Sequence, residues 1–146
     1  MRRDLDFRGQ VVLVTGGAQG IGLGIVDAFA QRGAQVVIAD RMLAQAQAVA
    51  AELCAQGYRV EAVGVDLAES DAVFACVQGL ARVDVLVHNA GYFPLTAFDD
   101  ITPEILQRTL AVNLSALFWL TQAALPMFRE QGRGCCLLYT SPSPRD

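Results

Sequence analysis

Lysine is absent from this chain: all eleven basic residues are arginine. That excludes a nucleotide-hydrolysing P-loop, which needs a Gly-Lys step. Histidine occurs once, as His88. The four cysteines, Cys54, Cys76, Cys135 and Cys136, form no Cys-x-x-Cys pair and no Cys/His cluster. Zinc needs several convergent ligands, so no metal site is expected. Cys54 and Cys76 read instead as small buried apolar residues on helices, and unpaired thiols fit a reducing, cytoplasmic setting. Charge is sparse and scattered, with a net value of −4 and no basic patch to neutralise phosphates, so nucleic-acid binding is not expected. No apolar stretch follows Arg2 and Arg3; Asp4 and Asp6 do, so no secretory signal is expected here. The longest apolar run, residues 110–128, has the length to reach across a bilayer. It carries Asn113, Ser115, Thr121, Gln122 and Pro126, and reads as a buried helix of a soluble protein rather than a membrane span.

What is present is globular. The 146 residues are 53% hydrophobic, enough for one domain with one core. Short β-rich runs alternate with helical stretches. Residues 10–15, 35–39, 59–65 and 84–88 read as strands, the first a continuous Val/Leu run buried on both faces and the second likewise buried. Residues 21–32 have helical spacing, with Ile21, Ile25 and Phe29 on one face and Gly33 as C-terminal cap. Residues 42–56 and 69–81 are further helices, and Thr102-Pro103 opens a helical region that continues to about residue 129. The order β-α-β-α-β-α-β-α implies an α/β fold with a parallel sheet and helices on both faces.

The first strand runs into Thr15-Gly16-Gly17-Ala18-Gln19-Gly20-Ile21-Gly22. Gly16 permits a tight turn off the strand, Gly20 leaves room for a pyrophosphate, and Gly22 lets the following helix pack closely on the sheet. That helix start offers free N–H groups and a positive dipole end to phosphates. Asp40 follows Gly20 by twenty residues, at the end of the second strand, where a carboxylate can hold both ribose hydroxyls of an adenosine. The alternative is a structural turn plus an ordinary strand-end aspartate. A carboxylate at Asp40 repels the extra phosphate of NADP, which favours NAD; Arg41 partly offsets this.

Thr15-Gly-x-x-x-Gly20-x-Gly22 resembles the cofactor motif of the short-chain dehydrogenases/reductases. The resemblance covers Arg8 to about Cys135 and implies a Rossmann-type, doubly wound parallel sheet, here truncated after about four strands. It implies that Gly16, Gln19, Gly20, Ile21, Gly22, Asp40 and Arg41 bind the cofactor. Asp66-Leu67 resembles the family's adenine contact; a helix N-cap role for Asp66 stays open. Asn89-Ala90-Gly91 is similar to the family's Asn-Asn-Ala-Gly signature, lining the cofactor, with Asn89 tying strands together and His88 a strand-end packing residue. Val112-Asn113-Leu114 matches the segment whose asparagine bends a helix and serves a proton relay, which implies a catalytic role for Asn113; the alternative is a core asparagine bonded only to backbone. The stretch from Asp66 to Asn89 is shorter than the family's by about a helical turn, so the third helix is expected to be trimmed. Tyr92, Phe93 and Pro94 face either the substrate or only their own loop.

The family's proton donor is a tyrosine followed four residues later by a lysine. Without lysine, Tyr58, Tyr92 and Tyr139 all fail that test, so this stretch carries no catalytic dyad. One reverse translation of residues 136–146 resembles a transposon-end adapter from short-read sequencing libraries. Residues 1–135 are therefore taken as the incomplete NAD(P)-binding domain and 136–146 as an artefactual tail, with Ser141, Pro142 and Pro144 outside the fold. The fourth strand is then expected to expose an unpaired edge, which invites aggregation. The resemblance implies a parent enzyme acting on a small-molecule alcohol/carbonyl pair, and a homo-oligomer (dimer or tetramer) built on the 110–128 helix. The alternatives are a non-catalytic dinucleotide-binding regulator and an inactive remnant.

Overall fold

The computed structural model describes residues 5–138. Tyr139 and Ser141 lie outside them, as do Pro142 and Pro144.

Alternate side chains of the strands fill two apolar layers, and that alternation dictates the architecture. The strands are β1 (Val11–Thr15), β2 (Gln35–Asp40), β3 (Arg59–Gly64), β4 (Val85–His88) and β5 (Cys135–Leu138), all parallel in the order β3-β2-β1-β4-β5. Val12, Val14, Val36, Ile38 and Val60 point to one face. There they meet α1 (Gly20–Ala30) and α2 (Leu43–Ala55). Leu13, Val37, Ala39 and Leu86 point to the other, against α3 (Ser70–Gln78) and α5 (Ala116–Gln131). The strand order reverses between β1 and β4, so a crevice opens at their carboxyl ends, where such sheets bind ligands.

The doubly wound parallel sheet is as expected, with four local corrections. First, β4 is not an open edge. Cys135–Leu138 pairs with it in register, Leu86 against Cys136 and Val87 against Leu137. Four apolar residues beside a strand that offers free N–H and C=O groups are enough to form a ladder. The sheet therefore has five strands, and β5, whose residues are exposed, is the edge. Second, the inward face of α1 is Gly22, Val26 and Ala30 rather than Ile21, Ile25 and Phe29. The small row brings α1 close to the sheet. Ile25 and Phe29 are half-buried, Phe29 stacks edge-on against Phe7, and Ile21 stays exposed at the mouth of the crevice.

Third, the helical region after Thr102 is broken. Thr102 caps α4 (Pro103–Leu110) by accepting from the Ile105 N–H, as its sequence suggests. Residues Ala111–Ser115, including Asn113, then form a π turn before α5 begins. Pro103–Gln131 is long and apolar enough to cross a membrane by length and composition, and only 22% of its most apolar window is buried within the chain. The buried helix expected over 110–128 is thus buried on one side alone, through Ala116, Leu120, Ala123 and Ala124. Leu106, Leu110, Leu114 and Phe118, spaced four apart, are exposed. Fourth, of the two cysteines expected to be buried only Cys76 is. Cys54 is exposed, its thiol donating to the Val60 carbonyl. The third helix is shorter than the expected 69–81: α3 has nine residues, Ser70–Gln78.

Candidate functional site

The glycine turn is held in one shape from two sides. Gly16 has φ +68° and lies against Ala90, so a side chain there would be both strained and crowded. Gly22 sits on the Gly16 carbonyl with no room for a Cβ, which is how α1 comes to begin directly above the end of β1. Gly20, at φ +56°, faces open space. Among the described residues no side chain caps α1, and its first residues, Gly20, Ile21 and Gly22, line the crevice.

Polar bonds lock the ends of β1 and β4 together beneath this turn. The buried Thr15 hydroxyl donates to the Val87 carbonyl at 3.2 Å and accepts from the Asn89 and Ala90 N–H groups, each at 3.1 Å. The Asn89 carboxamide donates to the Thr15 and Gly16 carbonyls at 3.0 and 3.1 Å. Asn89 thus ties the neighbouring strands together, and Thr15 does as much.

Asp40 closes the far wall. One carboxylate oxygen accepts from the Ala18 N–H at 3.1 Å, the other from the Met42 N–H at 2.9 Å. The side chain is pinned between the glycine turn and the start of α2. Asp66 does not cap α3; Glu69 holds that position without a side-chain bond. Instead Asp66 closes the preceding turn by accepting from the Ala68 N–H at 3.0 Å. It also takes both of its oxygens to Arg108 of α4, at 2.9 and 3.1 Å. Burial works to raise the Asp66 pKa. The Ala68 N–H, Arg108 and Arg41 outweigh it and hold the carboxyl below its ordinary range.

A hollow of about 390 Å³ lies between these walls. Gly16, Gln19, Gly20, Ile21, Gly22, Asp40, Arg41, Asp66, Leu67, Asn89, Ala90 and Gly91 all line it, together with Tyr92 and Arg108. Asn113 does not. It lines an adjoining hollow of about 370 Å³ with His88, Phe93, Leu117 and Leu138. Asn113 is exposed, not a core residue. Its carboxamide oxygen accepts from the Tyr92 N–H at 2.7 Å and its nitrogen donates to the Tyr92 carbonyl at 2.9 Å, clamping the loop after β4. Of the loop residues, Tyr92 lines the first hollow and Phe93 the second, while Pro94 lines neither. His88 packs at the strand end, its Nε2 3.3 Å from the Thr121 hydroxyl, and burial lowers its pKa, which favours the neutral ring. The sequence offers no sign of that partner, nor of Arg108 meeting Asp66, because 33 and 42 residues separate the pairs. Arg108 shares a mixed helix with Glu104, Gln107 and Thr109, so it carries no signal of its own in the sequence. No group of three or more potential metal ligands occurs among the described residues.

A family model described as short chain dehydrogenase matches residues 10–143. L-rhamnose 1-dehydrogenase (NAD(P)(+)) of Azotobacter vinelandii is 38% identical over 140 residues, which is 90% of this chain and 55% of that protein. Galactitol 2-dehydrogenase of Agrobacterium fabrum is 36% identical over 131 residues, 89% of this chain and 51% of that one. A metagenomic short-chain oxidoreductase solved in complex with NADP superposes with a TM-score of 0.88 at 33% identity, covering 96% of this chain and 66% of that chain. The chain therefore spans about half the length of the curated relatives it matches.

Proposed function

The chain belongs to the short-chain dehydrogenase family, and from that premise we propose that it is the nucleotide-binding part of an NAD(P)-dependent oxidoreductase that interconverts a small alcohol and its carbonyl. The observation that carries the reading is the crevice itself. An uncapped helix start and a glycine with open space above it stand on one side, and a pinned carboxylate stands on the other. These residues fit a dinucleotide. Gly16, Gln19, Gly20, Ile21 and Gly22 would cradle the diphosphate, Asp40 would accept from the ribose hydroxyls, and Asp66 with Leu67 would face the purine. Asn89, Ala90 and Gly91 would line the remaining length. Bound there, the nicotinamide dinucleotide supplies the hydride acceptor or donor. Asn113 is the proposed relay residue: a π turn breaks the regular backbone ladder where it stands, freeing polar groups to hold a water.

NAD is the proposed partner in preference to NADP, because Asp40 would stand beside the extra phosphate, although Arg41 adjoins it and the metagenomic relative was solved with NADP. Fluorescence titration of the chain with NADH and NADPH tests this. Tighter NADH binding that D40A removes is the expected result. Tighter NADPH binding overturns the preference, and binding of neither overturns the reading in favour of an inactive remnant.

The names of the two curated relatives point to sugars and sugar alcohols as the substrate class of the parent enzyme. No Tyr-x-x-x-Lys occurs in this lysine-free stretch, so the chain alone is expected to bind cofactor without turnover. A non-catalytic dinucleotide-binding regulator shares that behaviour and differs in co-purifying with a stoichiometric partner chain. Four free thiols suit a cytoplasmic setting. The exposed row Leu106, Leu110, Leu114 and Phe118 suits a homo-oligomeric parent. The proposal for residues 136–146 is that they derive from adapter sequence. An exposed strand edge accepts short apolar segments, so the pairing of β5 is compatible with this, whereas the family-model match runs on to residue 143, into the same stretch. Resequencing the source DNA across codon 136 tests it: a frame continuing into Tyr-x-x-x-Lys supports the assignment, and the same codons in independent reads overturn it.

A further inference from the structure

Arg108 has no part in the roles assigned above, yet it lines the charged hollow. It projects from α4, a helix with no buried residue, and reaches Asp66 through a single nitrogen, Nη2, which donates to both carboxylate oxygens. The guanidinium carbon lies 5.5 Å from the centre of the Tyr92 ring, within range of a cation–π contact. Asn113 clamps the backbone of that same Tyr92. Contacts therefore run Asp66–Arg108–Tyr92–Asn113, from the charged hollow to the apolar one. We propose that Arg108 is a positioning residue for purine recognition: it holds the Asp66 carboxylate as a fixed acceptor facing the nucleotide pocket and ties it to the loop after β4.

The inference rests on the reading of Asp66 as the purine-facing carboxylate. An ionised carboxylate has about four acceptor positions. Ala68 takes one and Arg108 two, which leaves room for one further donor, and the exocyclic amine of adenine is such a donor. Protonation of Asp66 would turn an acceptor into a donor and set it against that amine. The groups facing Asp66 are Arg108 from α4, Arg41 after β2 and the Ala68 N–H, while Glu69 and Tyr92 in turn face Arg108. Removing Arg108 leaves burial opposed only by Arg41 and one N–H.

The test is ADP-ribose binding to the full chain, followed calorimetrically from about pH 7.5 to about pH 5, with the hypoxanthine counterpart as control, since it lacks the amine. R108M should weaken ADP-ribose about tenfold at the upper pH, as expected for loss of a charged hydrogen-bond partner. The weakening should deepen as the pH falls while wild type stays level, R108K should recover part of it, and the control ligand should bind all variants alike. In a D66N background, R108M should have no further effect. If D66N binds ADP-ribose as wild type does, the reading of Asp66 fails. If D66N weakens binding while R108M, or R108Q should R108M melt early, shows wild-type affinity and a level pH profile, the role of Arg108 is overturned.

Discussion

The α1/α2 face of the sheet and the outer surface of the α4–α5 region are built on different terms. On the α1/α2 face the helices turn small residues inward, Gly22, Val26 and Ala30 on α1 and Ala46, Ala50 and Leu53 on α2, and the chain covers its own apolar surface. Beyond β4 the reverse holds. Helix α4 buries nothing, and Phe93, Leu95, Phe98, Leu106, Leu110, Leu114 and Phe118 stand exposed. The first is a finished core that also shapes the crevice proposed to hold the nucleotide. The second, outside the α3/α5 core, is a surface whose apolar side chains gain nothing until something covers them.

The largest effect should come where the finished face is tightest. G22A forces a Cβ into the Gly16 carbonyl, so either the glycine turn or the seat of α1 must give way. A loss of about 3 kcal/mol or more in urea unfolding, together with loss of NADH binding, is expected from overpacking against backbone. An unchanged midpoint would mean that the close contact does not hold the turn. V26A, on the same inner row, should cost about 2 kcal/mol for the cavity it leaves.

The seam between the two parts runs through Asp84, which is buried at the foot of β4. It accepts from the Val11 N–H of β1 at 2.9 Å and from two nitrogens of Arg82 at 2.7 Å. Arg82 lowers its pKa, burial opposes, and the Val11 N–H and Arg133 add to the lowering. A depressed folded pKa means the stabilisation is complete above the unfolded value of about 4 and is lost as pH falls through the folded one. D84N should therefore cost about 2 kcal/mol near neutrality, less than a fully enclosed pair because Arg82 is part-exposed, and should flatten the acid limb of the stability curve. An acid limb identical to wild type would place the sensitivity elsewhere.

How much of this contrast is legible in the sequence depends on distance along the chain. The strands and the glycine turn are local: continuous Val/Leu runs and glycine spacing state them outright, and all twelve expected cofactor residues come to one hollow. The face of α1 is not local. Rows 21/25/29 and 22/26/30 both satisfy helical spacing, and only the meeting of Gly22 with Gly16 selects the second. Asn113 flags a disturbed helix, but that its carboxamide would clamp Tyr92 depends on a loop twenty-one residues earlier. Whether an apolar helix is covered cannot be read from the helix, which is why residues 110–128 read as buried. A cheap check on the local half of this argument is G24A. Gly24 is helical, exposed and without a neighbour near its missing Cβ, so alanine should stabilise by about 0.5–1 kcal/mol.

The smallest stability change is the most telling about the open face. In L114Q/F118Q two exposed apolar side chains of the uncovered row become polar. Nothing among the described residues packs on them enough to bury them, so urea unfolding at high dilution should shift by less than about 0.5 kcal/mol, against about 2 kcal/mol for V26A. Sedimentation at rising concentration should separate the variants where unfolding does not. Wild type should self-associate through this row, and L114Q/F118Q should stay monomeric further up the concentration range. A shift as large as that of V26A would mean the row is already packed within one chain, and the contrast between the two regions would collapse. Equal self-association of both proteins would keep the contrast but move the sticky surface elsewhere, to the exposed edge of β5 or the 93–98 loop.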